Sequence, residues 1–183
     1  YVVKGGTACY ALFTADTVPA LLALGARVRI AGTEQQQTMA LSDLYSGTGE
    51  RANVLRSDQF ITKIIVPYLP ERYTYYRKFQ QRPTIDFALL TLAVSAVKGS
   101  SRPLEGMSIV LGGVGSGPLR AREAERLWQE MVQEGSLDSE QVATAASKET
   151  RVFNTFNGSA DYKKKVIQVL VEEAVREIMS NIA

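Results

Sequence analysis

The stretch from Phe60 to Ala88 restricts the fold more than any other part of the chain. Phe60-Ile-Thr-Lys-Ile-Ile-Val-Pro67 is a β-branched run closed by proline. Proline brings no N–H to a ladder, so the run reads as a strand that stops there. Tyr68-Leu-Pro-Glu71 follows as a linker. Tyr76-Arg-Lys-Phe-Gln-Gln-Arg82 then reads as a basic, amide-rich strand, and Asp86-Phe-Ala88 opens a long apolar run. The Pro67 and Pro70 punctuation predicts a break near Tyr68–Arg72.

Before the break the expected elements are short. Asp16 reads as the N-cap of a helix over 16–25, with Pro19 in its first turn and Gly25 as C-cap. Arg27-Val-Arg-Ile30 and Gln37-Thr-Met-Ala-Leu41 flank the turn Ala31-Gly-Thr-Glu and predict a hairpin. Ser42–Gly49 is a turn-rich loop. After the break, Tyr73–Gln81, Phe87–Val97 and Met107–Val114 read as strands. Period alone leaves the second run open, because a buried helix would look the same. Helices then dominate: 120–133 with Trp128 on its apolar face, 136–148 capped by Ser136 or Asp138, and 159–182 with an Ile167–Ile178 stripe. Strands followed by helices predict an α+β fold, with helices on one face of a three-stranded antiparallel sheet.

Composition narrows the chemistry. The 183 residues hold no histidine and a single cysteine. This excludes Ser-His-Asp and Cys-His nucleophile pairs, histidine metal sites and any intrachain disulfide. A borrowed cofactor is the simpler source of hard chemistry. The net charge of +2 does not suggest a nucleic-acid or acidic-membrane partner. No apolar run approaches the roughly 20 residues of a membrane-spanning helix, and no leader of signal-peptide type opens the chain. Tyr1 in place of Met suggests a processed or excised piece.

The string of motifs, taken in order along nearly the whole chain, resembles the flavin subunits of the molybdenum hydroxylases. That family includes carbon monoxide dehydrogenase, xanthine dehydrogenase and hydroxybenzoyl-CoA reductase. The resemblance implies that residues 1–69 are the C-terminal part of a two-subdomain FAD-binding domain. Residues 73–183 would be the flavoprotein C-terminal α+β domain, a three-stranded antiparallel sheet packed with three helices. It also implies FAD as cofactor and a cytoplasmic complex. The implied partners are a molybdenum-cofactor subunit and a [2Fe-2S] subunit, with no nucleic acid and no membrane span.

Site residues follow from the same resemblance. Asp16, before the apolar helix, is similar to a family aspartate of the flavin site; a plain N-cap explains it equally well. Ile61, six residues before Pro67, stands where the family places an aliphatic residue against the flavin ring, and otherwise reads as core. Lys78 matches a basic residue that reaches the isoalloxazine, and otherwise reads as a surface lysine. Phe87 stands where relatives carry an aromatic beside the flavin. Asp86 reads as a partner of Arg82 or a turn cap.

Gly5-Gly6 fits two registers. In one, Lys4-Gly-Gly-Thr7 is the phosphate-binding loop, whose glycines let backbone N–H groups close on the pyrophosphate. In the other, the stretch resembles the end of an insertion of the hydroxybenzoyl-CoA reductase type. Cys9 would then be the last ligand of a [4Fe-4S] cluster in the parent protein. Such a cluster takes four thiolates, and the other three would precede Tyr1. Cys9 otherwise reads as a buried free thiol.

Gly112-Gly-Val-Gly-Ser-Gly-Pro118 lacks the lysine and hydroxyl of a P-loop and reads as a strand end and turn. Lys163-Lys-Lys165 reads as the solvated face of the last helix, and Ser159 as its cap. Two functions are in view: an FAD-dependent electron-transfer subunit of a molybdenum hydroxylase, or a subunit-docking module with no cofactor chemistry of its own.

Overall fold

A computed structural model describes residues 9, 11–82, 85–99 and 104–182. Gly5 and Gly6 lie outside the described residues, so their register is left as the sequence leaves it.

Two antiparallel sheets carry the fold. The first has the order β2-β1-β3, from β1 (Arg27–Ala31), β2 (Gln36–Ala40) and β3 (Phe60–Ile65). β1 and β2 form the expected hairpin. The second sheet runs β4 (Arg72–Phe79), β5 (Leu90–Lys98), β6 (Leu104–Gly112), β7 (Leu119–Arg120). The three expected strands are present, and the glycine-rich turn after β6 lets the two-residue β7 add a fourth. Gly113 sits in that turn at φ +79, and a Cβ there would meet the Leu89 carbonyl oxygen at 2.5 Å. Only glycine fits that approach.

Four helices complete the fold: α1 (Thr17–Ala23), α2 (Arg122–Glu134), α3 (Ser139–Glu149) and α4 (Ala160–Ile182). α1 ends in a Schellman motif, with Ala26 N–H on the Leu21 carbonyl and Gly25 N–H, at φ +71, on that of Leu22. Of the two candidate caps of α3, Asp138 holds the position, accepting from the N–H groups of Glu140 and Gln141. Ser159 Oγ accepts from Tyr162 N–H at the start of α4.

The three C-terminal helices pack on one face of the second sheet, as expected, and α1, from the part before the linker, covers the other. Leu90, Leu92, Val94 and Ala96 of β5 join Trp128, Ile167, Leu170 and Ile178 in the main core. On the opposite face, Ala93 of β5 and Val110 of β6 pack with Ala20, Leu22 and Ala23 of α1. β5 is therefore buried on both sides, and its apolar run shows no alternation. This is why period could not tell strand from helix there.

Two readings are corrected. Asp16 stands directly before α1, but its side chain makes no capping hydrogen bond; it is engaged elsewhere. Lys163 is not on the solvated face of α4: it is 0 % exposed. Its ammonium donates to Phe153 O at 3.1 Å and Thr155 Oγ1 at 2.8 Å. Burial lowers its pKa. Lys163 stands one turn before Ile167, in phase with the buried stripe of α4.

Trp128 and the Ile167–Ile178 stripe are core, as expected, with Leu170 5 % exposed. Leu170→Ala should destabilise the fold by roughly 2–5 kcal/mol, the range for buried leucine truncation. Urea denaturation checks it; a loss under about 0.5 kcal/mol, the range of surface changes, would place Leu170 outside the cooperative core.

Candidate functional site

The site lies where the start of α1, the apolar face of β3 and the end of β4 meet. α1 packs on β5 and β6, and β4 pairs with β5, Lys78 lying opposite Thr91. Tyr76 and Lys78, two apart on β4, point to one side. Both reach Asp16. Lys78 Nζ donates to Asp16 Oδ2 at 2.7 Å, and Tyr76 Oη donates to the Asp16 carbonyl at 2.9 Å. The pair is half-exposed, the side chains at 27 % for Lys78 and 41 % for Asp16. Asp16 Oδ1 is buried with no partner among the described residues. Burial raises the Tyr76 phenol pKa, and the Asp16 charge adds to it.

Beside this pair opens a cleft of about 550 Å³ lined by Thr17, Ala20, Leu21, Ile64 and Tyr76. Ile64 reaches it because of a bulge. Ile61 pairs with Ile30 and Ile64 with Val28, and the register shifts between them. Without the extra residue Ile61 and Ile64 would face opposite ways; with it both share the face of buried Val28 and Ile30. Ile61 is 40 % exposed and Ile64 52 %, so neither is sealed in the core. An ammonium, an unpartnered carboxylate oxygen and an open apolar cleft suit a planar heteroaromatic group with donors and acceptors on its edge.

The other expected residues are placed as follows. Asp86 pairs with Arg82 at 3.0 Å and accepts from Phe87 N–H at 2.9 Å. Phe87 is 80 % exposed and lines a different cleft of about 360 Å³, together with Ala11, Leu12, Thr14 and, from the loop before α4, Phe153, Thr155, Phe156 and Asn157. Cys9 is half-buried, and its N–H donates to Glu50 Oε1 at 2.5 Å. One cysteine does not supply the ligands of an iron–sulfur cluster, and the described residues contain no metal-binding group of three or more His, Cys, Asp or Glu. A third cleft, about 340 Å³ between Ser42–Gly47 and Gly117–Arg122, contains none of the expected site residues.

Tyr76, Ile64 and Thr17 were not assigned a role from sequence. Tyr76 had a signal, its two-residue spacing from Lys78. Ile64 had none, because a bulge is not legible in a β-branched run.

Residues 3–69 match the sequence model of the FAD binding domain in molybdopterin dehydrogenase. Residues 74–178 match that of the CO dehydrogenase flavoprotein C-terminal domain. The chain belongs to this flavoprotein family. It is 28 % identical over 177 residues to the glyceraldehyde dehydrogenase medium chain of Sulfolobus acidocaldarius, covering 95 % of this chain and 60 % of the relative. It is 29 % identical over 161 residues to the nicotine 6-hydroxylase medium subunit of Paenarthrobacter nicotinovorans, covering 86 % and 53 %. The chain thus spans little more than half the length of these relatives. The fold is similar to that of the reconstituted CO dehydrogenase from Oligotropha carboxidovorans, with TM-score 0.76, 24 % identity, and 90 % of this chain and 56 % of that one covered. It is also similar to quinoline 2-oxidoreductase from Pseudomonas putida 86, at TM-score 0.77, 17 % identity, 94 % and 58 %.

The hydrogen bond from the Arg82 guanidinium holds the Asp86 carboxyl below its usual range; burial opposes it, and the Phe87 N–H, the Arg82 charge and Lys78 add smaller lowering effects. A depressed folded-state pKa gives stability that is present above the unfolded value of about 3.9 and is lost as pH falls through the folded one. Carboxyl NMR should find Asp86 titrating low, and Arg82→Gln should move it up towards the ordinary value. An unmoved titration in the variant would show that the pair does not form in solution.

Proposed function

We propose that this chain completes the flavin site of an FAD-dependent electron-transfer subunit in a molybdenum hydroxylase-type complex. The observation that carries the reading is the Asp16–Lys78 pair with its spare carboxylate oxygen, set beside the apolar cleft of Ile64 and Tyr76. FAD, when bound, accepts and passes on electrons at its isoalloxazine ring. Lys78 would donate to the pyrimidine edge and favour negative charge there. Asp16 would accept from a ring N–H and hold Lys78 in place. Ile61 and Ile64 would cover apolar surface and exclude water, and Phe87 would meet the cofactor from the separate cleft that it lines. Gly5 and Gly6 would face the pyrophosphate in one of their registers. The rest of the FAD contacts would come from the length that the relatives have and this chain does not span.

The subunit would relay electrons between iron–sulfur centres and an external acceptor or donor, beside a molybdenum-cofactor subunit and a [2Fe-2S] subunit, in the cytoplasm. The division into residues 1–69 and 73–183 belongs to the same proposal, supported by the two separate sheets. A [4Fe-4S] role for Cys9 asks for three more thiolates from outside residues 1–183. No helix among the described residues is long and apolar enough to cross a membrane. A docking role alone is the second reading; exposed Phe60, Ile65, Val66 and Val169 favour it.

Mutation in the complete flavoprotein separates the two. Asp16→Ala should weaken FAD retention about ten- to a hundredfold, the loss of one hydrogen bond to a charged group. Lys78→Met should leave FAD bound but lower its two-electron potential by roughly 20–40 mV, equivalent to about 1–2 kcal/mol. Flavin absorbance after gel filtration and a redox titration are the measurements. Normal flavin content in the first variant with an unchanged potential in the second would leave only docking.

A further inference from the structure

Lys163 is a buried cation for which the flavin reading has no use. Its partners among the described residues are neutral: the Phe153 carbonyl, the Thr155 hydroxyl and the Phe153 ring, whose centroid lies 5.7 Å from Nζ. Taking an ammonium out of water is expensive unless hydrogen bonds replace its hydration. Here they do so at one loop, the connection from α3 to α4.

That loop is tied in other ways too. Thr155 and Gly158 exchange backbone hydrogen bonds at 3.0 and 3.2 Å. Ala160 N–H donates to Asn154 Oδ1 at 2.8 Å, and Gln81 Nε2 donates to Asn157 O at 3.0 Å. These bonds close the loop on itself and fasten its tip to the end of β4. Lys163 joins the loop to the core from beneath through two hydrogen bonds, next to the packing of Val152 on the main core. The loop forms one wall of the Phe87 cleft, yet its own Phe156 is fully exposed. A connection that only linked two helices would gain nothing from anchoring a loop with an exposed Phe156 on a desolvated ammonium.

We infer that Lys163 is the positioning residue of the Phe87 cleft: its ammonium holds residues 153–158 as the wall facing Phe87 and so fixes where Phe156 is presented. The inference does not rest on FAD binding. It concerns how one wall of a cleft is kept in place.

Chymotrypsin reads the loop directly, because it cuts after exposed aromatics wherever the backbone can open locally. On the purified chain, cutting after Phe156 should be slow in the wild type. It should rise roughly tenfold in Lys163→Met and about threefold in Thr155→Val, while Lys163→Arg, which keeps a donor cation, stays within about twofold of wild type. Cutting after Tyr68, 87 % exposed in the linker, is the internal reference and should not change. A folded Lys163→Met cut after Phe156 at the wild-type rate overturns the inference. So does equal acceleration at Phe156 and Tyr68, or failure of Lys163→Arg to restore protection. If Lys163→Met does not fold, Thr155→Val decides: an unchanged rate there overturns the inference, and selective acceleration at Phe156 supports it.

Discussion

Burial of β5 on both faces is the constraint on which the rest of the molecule depends. One face is closed by α2 and α4 through Trp128, Ile167 and Leu170, the other by α1 through Ala20 and Ala23. The chain that leaves the first sheet must therefore return to a strand whose neighbour α1 already covers. Ser95 Oγ reinforces the contact by donating to the Ala23 carbonyl at 2.6 Å, and Arg72 Nη1 does the same to Leu24 at 2.8 Å. With α1 fixed over β5 and β6, its first residues hang over the end of β4. Asp16 meets Tyr76 and Lys78 because of where the apolar part of α1 is buried; no local propensity brings them together.

This ordering explains what was legible in the sequence. The hairpin, the strand closed by Pro67, the three strands after the linker and the three C-terminal helices follow from period and punctuation, and the structure contains them. Asp16 and Lys78 could each be singled out from a resemblance, but not their contact, which spans 62 positions. Capping was the natural reading of Asp16, because capping is local and the ion pair is not. Lys163 was misread for a similar reason. A run of three lysines looks solvated, whereas the buried arc of a 23-residue helix takes in whichever residue stands at its phase, and hydrogen-bond acceptors at Phe153 and Thr155 make that tolerable. The bulge that turns Ile61 and Ile64 to one face leaves no mark in a β-branched run.

The two edges of the first sheet differ in a way that bears on assembly. β2 presents Gln36, Gln37 and Thr38, polar groups that discourage pairing. β3 is exposed along its length and carries Phe60, Ile61, Ile64 and Ile65. An apolar strand with an open edge is a template for association, and a protein left so would tend to aggregate. The flavin and docking readings both cover this strip, the first with the ring and the remainder of the cofactor domain, the second with a partner. The strip therefore supports something binding at β3 without choosing between them.

The choice turns on the energetics of Asp16. A half-exposed ion pair such as Asp16–Lys78 contributes about 0–1 kcal/mol. A buried oxygen left without a hydrogen bond costs about 1–3 kcal/mol. With Oδ1 in that condition, the arrangement as it stands does not stabilise the fold. Asp16 has helical backbone angles, φ -70 and ψ -45, in place of the extended ones of an N-cap, and its side chain makes no capping bond. A carboxylate that keeps one oxygen unpaired and holds a lysine near an apolar cleft is what the proposed flavin site calls for. A docking surface of apolar residues has no use for that oxygen. Under the proposed function a ring N–H would relieve the cost of that oxygen, and an apolar partner would not.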